Sequence, residues 1–330
     1  MSALRDRVGA AAPVFGVLLV LLVAIAVVNP SFLEPASLLA YLKRAAPLAI
    51  LAVGQYFVIV SGEFDLSVGS LVTVQVVVAA RLIDGDESAT LPVIVLLAGL
   101  GLLIGLVNGL ITTRLHVPSF VTTLGMLLVL SGAVFLWTGG APRGSLSQAF
   151  REPGRQGIDI PGFGQVPWSA LILIAVAAGA AVLMRSAWGH TLVATGDNDR
   201  AAALAGVPVA RVRTTAFVLS ALAATVAAIL LGGFAGVSAQ VGEGLEFSAI
   251  TAVVLGGVVL GGGRGSVLAA LAGALVLEAL FTLLNLLGVS GALESTVQGV
   301  IIIAAVAYAA HRAGRRRRPP AVPEPSPQPA

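Results

Sequence analysis

The chain of 330 residues contains no cysteine. That excludes a disulfide framework, a thiolate nucleophile and any cysteine-based metal site. Histidine is almost as scarce. His116, His190 and His311 lie far apart and share no ligand spacing, so each reads as an interfacial residue. Charge is the third shortage: Asp, Glu, Lys and Arg together make up 11% of the residues, against about 25% in soluble domains. No nucleophile elbow, paired catalytic acids, dinucleotide fingerprint or metal motif occurs, so the residues give an enzymatic reading almost no support. The formal net charge of +3 is no nucleic-acid signature either, because the densest basic run directly follows an apolar segment.

What the chain has is hydrophobicity. Apolar residues are 57% of it, gathered in Leu, Ala and Val runs of about twenty residues that match a hydrocarbon core of roughly 30 Å. No short alternating strands are visible, so a barrel is excluded and the fold class is all-α, a polytopic transmembrane helix bundle. Ten apolar segments can be marked, at 13–29, 45–60, 66–83, 91–113, 119–138, 166–184, 214–234, 247–262, 267–287 and 293–310. The second, third and eighth are short, which suggests kinked or partly spanning helices. Arg5 and Arg7 followed by an apolar run and Ala24-Ile-Ala26 imitate a signal peptide. The run is long enough to span, so it is read as the first helix.

With the N-terminus inside, thirteen of the 19 Lys and Arg residues fall on the cytoplasmic side and six outside, as the positive-inside rule requires. Both termini are then cytoplasmic: residues 1–12 before the bundle, and 311–330 after it. His311 to Arg318 reads as a stop that contacts anionic lipid, and the Pro-rich 319–330 as a stretch without a core. One membrane domain, 13–310, remains. Its two substantial loops are 139–165 outside and 185–213 inside, neither long enough for a globular domain.

The inner loop holds a polar, alanine-rich segment, Gly196 to Val209, with every mark of a short helix. Asp197, Asn198 and Asp199 are candidate N-caps, Gly206 can take the left-handed position, and Pro208 stops continuation. So short a helix is not stable alone in water. It must dock on a partner or lie on the membrane surface, and the residues alone leave both open.

Four further features carry weight. Gly101, Gly105 and Gly109 line one helix face at four-residue spacing, the pattern of close helix packing, and Gly257 with Gly261 repeats it. Gly256 to Ser266 imitates a phosphate loop but lacks its lysine and ends an apolar span, so it reads as a tight turn or hinge. Ser61 to Ser70 brings Glu63 and Asp65 between two apolar segments with no basic residue; Asp65 is expected to cap the following helix, with a role toward a solute or proton as the alternative. Glu278 sits mid-way along its segment, where an ionised carboxylate is costly. It reads as a protonated acid bonded to Asn108, Gln75 or Asn285, or else as part of a polar pathway.

Four blocks carry a resemblance. They are Gly54-Gln-Tyr-Phe-Val-Ile-Val-Ser-Gly-Glu-Phe-Asp-Leu-Ser-Val-Gly-Ser70, then Asn108 to Met126, then Gly189 to Val207, and last Ala249 to Gly257 continuing to Gly262-Gly-Arg-Gly-Ser266. In this order they resemble the membrane-spanning permease subunit of bacterial ABC importers of the ribose type, in the family shared with branched-chain amino-acid permeases. The resemblance implies an ABC importer permease fold in the bacterial inner membrane, moving a monosaccharide such as ribose or xylose, or an inositol or nucleoside. It implies three partners: a second permease copy, an external sugar-binding protein, and a cytoplasmic ATPase dimer that holds ATP and Mg, so that this chain itself binds no cofactor. It makes the third block the coupling element gripped by the ATPase, with Asp197, Asn198, Arg200, Ala201, Ala202, Leu204, Ala205 and Gly206. Gln55, Glu63, Asp65, Asn108 and Glu278 are the candidate pathway or gate residues. Glu63-Phe64 departs from the family's Gly-Ile, and Glu278 stands where an apolar or small residue is expected. A proton-coupled carrier and an uncoupled channel or scaffold subunit are the competing functions.

Overall fold

The computed structural model describes residues 2–161 and 164–289, with several helical positions between 293 and 307. Part of the tenth apolar segment and the whole of 311–330 lie outside the described residues. The elements run α1 (Ser2–Val28), α2 (Pro35–Val60), α3 (Val68–Ile83), α4 (Thr90–Arg114), α5 (Ser119–Thr138), α6 (Gln148–Arg155), β1 (Gly157–Ile160), β2 (Gly164–Pro167), α7 (Trp168–Arg185), α8 (Ala187–Asp197), α9 (Asp199–Leu204), α10 (Val209–Ala235), α11 (Leu245–Leu255) and α12 (Val267–Leu286). Among the described residues, six helices are long and apolar enough to cross a membrane, and three more apolar helices are shorter. α4 and α5 turn a nearly continuous row of large apolar side chains outward, with Leu136 90% exposed. A face of that kind is costly in water and costs nothing in hydrocarbon.

The bundle is organised around α2, in which every residue from Ala45 to Val60 is buried. A helix that is apolar all round belongs at the centre of a bundle. Pro35 opens it at the first helical position, where a missing N–H costs nothing. The expectation of a short second span is therefore corrected: the helix runs for 26 residues. Lys43 and Arg44, taken as loop residues, lie inside it because each finds a partner. Lys43 donates to the carbonyl of Arg155, and Arg44 pairs with Glu278.

Around α2 pack α10, α12, α7 and α11, with α4 on the far side of α10 and α1 against α12. The ridge of Gly101, Gly105 and Gly109 faces α10 as expected. A methyl on Gly101 would run into the Thr225 hydroxyl, one on Gly105 would lie 2.7 Å from Val218 Cα, and one on Gly109 2.7 Å from Thr214 Cα. The second pair behaves differently. Gly257 has φ +79° with open space beside it, and α11 has already ended at Leu255. Gly257 and Gly261 therefore belong to the turn after α11 and pack no helix; the turn reading of 256–266 holds and the packing reading of this pair does not.

Two helices are interrupted. Between α2 and α3, residues 61–67 fold back into the bundle. Between α10 and α11, residues 236–244 do the same from the opposite end, so that Gly242 N–H donates to Thr73 Oγ1 of α3 at 3.0 Å. α3 and α11 are short because each starts inside the bundle. The expected loop 139–165 also carries more order than foreseen. It contains α6 and an antiparallel β1–β2 hairpin, and Ser147 caps α6 by accepting from Phe150 N–H.

Candidate functional site

Two neighbouring pieces carry the polar chemistry, a buried network at the α2–α3 break and the projecting helix α9. At the break, Asp65 is 1% exposed. Its Oδ1 accepts from Ser67 N–H at 3.0 Å and Ser67 Oγ at 2.6 Å, and its Oδ2 from Ser220 Oγ of α10 at 3.0 Å. Asp65 thus caps the turn leading into α3 rather than the helix itself, whose N-cap is Ser67 without a side-chain bond. Asn108 Nδ2 of α4 donates to Ser67 Oγ at 2.9 Å, and Gln55 Nε2 of α2 to the Asp65 carbonyl at 3.1 Å. α2, α4 and α10 thus converge on the turn that carries Asp65. The carbonyl oxygens Gln55 Oε1 and Asn108 Oδ1 are buried and have no protein partner.

Burial of a carboxylate without a cation requires hydrogen bonds to every lone pair it can use. Asp65 has three donors, two from the adjacent turn and one from 155 positions away. The local pair was legible from Asp-x-Ser; the distant one was not. A second buried acid escaped the sequence reading altogether. Glu246, in the first turn of α11, is 6% exposed and lies against the first turn of α3, where its carboxylate fills the space beside Gly69. Its only signal was its place after the glycine-rich 242–244.

Of the expected pathway residues, Gln55, Asp65 and Asn108 are brought together. Glu63 sits on the same break but turns outward, toward Arg213 of α10 at 3.1 Å. Glu278 is elsewhere. It pairs with Arg44 at 3.4 Å on the wall of an open cavity of about 630 Å³ that Asn29, Phe32, Thr282 and Asn285 also line. Of the partners expected for Glu278, Asn108 and Gln75 are engaged elsewhere, and the acid faces a cation. Asn108 serves Ser67, Gln75 Nε2 donates to Leu97 O and Thr225 Oγ1, and Glu278 is one half of an ion pair. A cation one helix away offsets the cost that made a charged acid look out of place.

α9 is built as the sequence suggested, with adjustments. Asn198 is the N-cap and accepts from Ala201 N–H at 3.0 Å. Asp197 is the last residue of α8 rather than a cap of α9. Gly206 has φ +85°, and Pro208 stands immediately before α10. Asp197, Asn198, Arg200, Ala201, Ala205 and Gly206 are exposed, and Leu204 is 91% exposed. Ala202 differs from them: at 5% exposed it faces the bundle, so its small size serves packing within this chain rather than a partner.

Behind α9 the backbone is packed to contact. Gly263 N–H donates to Val60 O, the last carbonyl of α2, at 2.9 Å. A methyl on Gly196 would run into that same carbonyl, and one on Gly263 would lie 2.7 Å from Asp197 Cα. The end of α8, the end of α2 and the turn 256–266 therefore meet backbone to backbone. A displaced α9 has no slack there to absorb its movement.

A multi-pass bundle with a central helix, two interrupted helices, a buried polar network and an exposed apolar-tipped helix defines a membrane permease. The chain belongs to the family described as branched-chain amino acid transport system / permease component, which matches residues 37–306. It is 34% identical over 298 residues to the ribose import permease protein RbsC of Bacillus subtilis (strain 168), covering 88% of this chain and 89% of that one. With the RbsC of Escherichia coli (strain K12) it shares 35% identity over 294 residues, 88% of this chain and 90% of the other. The L-arabinose ABC transporter permease protein AraH of Azospirillum brasilense is 32% identical over 304 residues, 91% and 88% of the two chains. No solved structure matches.

Proposed function

We propose that this chain is the permease subunit of an ATP-driven importer of the ABC type, carrying a monosaccharide across the bacterial inner membrane. The observation that carries the reading is α9: a capped helix too short to stand alone, presenting Leu204 at 91% exposure while backbone contact ties its base to α2. An apolar anchor of that exposure on an end loop suits a groove in a partner subunit. On this reading the partner is a cytoplasmic ATPase dimer that holds ATP and Mg. The α9 end and both termini are then cytoplasmic, α6 and the hairpin are external, and an external binding protein delivers the sugar to two permease copies. The names of the relatives, which speak of ribose and L-arabinose, support a pentose as passenger.

Closure of the ATPase dimer moves α9, and the packed junction at Val60, Gly196 and Gly263 passes that movement to the α2–α3 break. Coupling requires that nucleotide and solute each bind the two permease conformations unequally, since equal affinity shifts nothing. The buried amides and hydroxyls around Asp65 supply donors and acceptors suited to sugar hydroxyls once the break moves. A proton-driven carrier drew its support from an isolated acid at Glu278. Its pairing with Arg44 removes that support.

The test is co-purification of the ATPase and uptake of labelled D-ribose, L-arabinose and D-xylose by reconstituted vesicles containing the binding protein. Leu204→Asp should abolish both co-purification and ATP-driven uptake while the permease stays folded. Wild-type levels of both in that variant would remove α9 as the coupling element.

A further inference from the structure

A single side chain joins α9 to the loop that holds Asp65. Arg213, in the first turns of α10, places Nε 3.1 Å from Glu63 Oε1 and Nη2 3.4 Å from Asp199 Oδ2. The same Nε donates to the Ser61 carbonyl at 3.3 Å. Asp199 is the first residue of α9, and Ser61 and Glu63 open the α2–α3 break. We propose that Arg213 is the positioning residue through which displacement of α9 is transmitted to the break and on to α5. This deepens the importer reading and rests on it.

Three features support transmission over simple stabilisation. The guanidinium is a rigid planar fork, so its two edges move together and cannot follow one partner without turning toward or away from the other. Arg213 and Glu63 are 21% and 14% exposed, enough burial to keep water and salt from screening their pair strongly. Asp199 is 51% exposed, so the end on α9 is the one free to change distance. The far side of the break is also tied: Phe64 N–H donates to Ser119 Oγ, the first residue of α5, at 3.1 Å, and Thr123 Oγ1 of α5 donates to Phe64 O at 3.4 Å. The chain of contacts therefore runs Asp199, Arg213, Glu63, Phe64, Ser119, with no gap wider than a hydrogen bond. The Glu63 carboxylate gives Arg213 a second anion beside Asp199.

The natural absence of cysteine makes the test direct. Phe120, 55% exposed at the start of α5, is replaced by cysteine (Phe120→Cys) and labelled with an environment-sensitive maleimide fluorophore. The permease–ATPase complex is then trapped with MgATP and orthovanadate, which needs no knowledge of the solute. The labelled Phe120→Cys complex with no further substitution should give a change in emission on trapping, and no change there overturns the proposal. Arg213→Gln should reduce that change at least fivefold with the ATPase still bound at the original stoichiometry and vanadate still trapped. Glu63→Gln and Asp199→Asn should each reduce it, and the double variant no further than the worse single one, because links in series fail together. An undiminished signal in Arg213→Gln overturns the proposal. Should Arg213→Gln fail to assemble, the two amide variants decide, and an undiminished signal in both overturns it equally. Failure of the ATPase to co-purify with the unsubstituted chain is a separate result: it overturns the importer reading and carries this proposal with it.

Discussion

The glycine ridge of α4 allows the packing argument to be tested by opposite effects of one substitution. Gly99 and Gly105 lie on the same helix. A methyl added at Gly99 meets nothing within 4 Å, whereas at Gly105 it would lie 2.7 Å from Val218 Cα, 2.8 Å from Phe217 O and 3.0 Å from Ala221 Cβ. Carbon atoms in contact prefer about 3.5–4.0 Å, so α10 would have to retreat by roughly 1 Å along rigid backbone. Overpacking of that kind costs about 1–3 kcal/mol. Against it stands the gain of about 0.5–1 kcal/mol from replacing glycine by alanine inside a helix. Gly99→Ala should therefore stabilise by about 0.5–1 kcal/mol, and Gly105→Ala should destabilise by about 1 kcal/mol net.

The measurement is the unfolding midpoint of the detergent-purified protein for both variants side by side. Gly105→Leu with Gly109→Leu adds two branched side chains where Val218 and Thr214 backbone already touch, and the folded species should disappear. Equal midpoint shifts for the two alanine variants, or a well-folded double leucine variant, would show that this face of α4 does not meet α10.

Other outcomes follow from particular contacts. Ala202→Asp buries a charge against the chain's own bundle, so it should lower the unfolding midpoint of the isolated permease, which Leu204→Asp should leave unchanged. Asn198→Ala removes the N-cap of α9 and should weaken ATPase co-purification by an amount matching about 1 kcal/mol, while Asp197→Ala, which removes no cap, should be milder. Glu278→Gln disturbs a pair whose Arg44 is 40% exposed; such pairs contribute at most about 1 kcal/mol, so ATP-driven uptake should stay within twofold, and uptake driven by a pH gradient alone would contradict that. A cysteine in place of Gln148 (Gln148→Cys), exposed at the start of α6, should react with an impermeant maleimide in intact cells; reaction only after permeabilisation would invert the orientation.

Much of the bundle was legible because its grammar is local. Continuous apolar runs marked α5 and α12 closely, the four-residue glycine period gave the α4 face that meets α10, and Asn198, Gly206 and Pro208 punctuated α9 as their chemistry dictates. What failed was whatever depended on partners distant in sequence. Lys43 and Arg44 look like the limit of a span until Arg155 and Glu278 are brought to them. Gly257 and Gly261 have the spacing of a packing ridge, yet the positive φ of Gly257 ends the helix before it. Ser220 and Arg213 carried no signal at all, since an ordinary serine and an ordinary loop-edge arginine acquire meaning only when α10 is laid against the break.

The hydrogen bonds at the break imply that any movement there, as the proposed coupling requires, is all-or-none in character. Irregular backbone at membrane depth survives only where protein satisfies its polar groups. Here the Phe64 N–H is met by Ser119, the Asp65 carbonyl by Gln55, and the Asp65 carboxylate by Ser67 and Ser220. From the other side Thr73 meets the N–H of Gly242. A partial displacement would strand several of these groups at once, at about 1–3 kcal/mol for each buried donor or acceptor left unmet. The observed arrangement avoids that cost because α2, α5 and α10 hold the break; on the proposed importer reading a second, open one avoids it too, with water or the hydroxyls of a passenger in their place. A sugar, with a donor and an acceptor on every hydroxyl, is the kind of solute that lowers the free energy of the open arrangement most. On the importer reading proposed above, a path that binds its passenger only weakly couples passage in this way to a movement begun at α9.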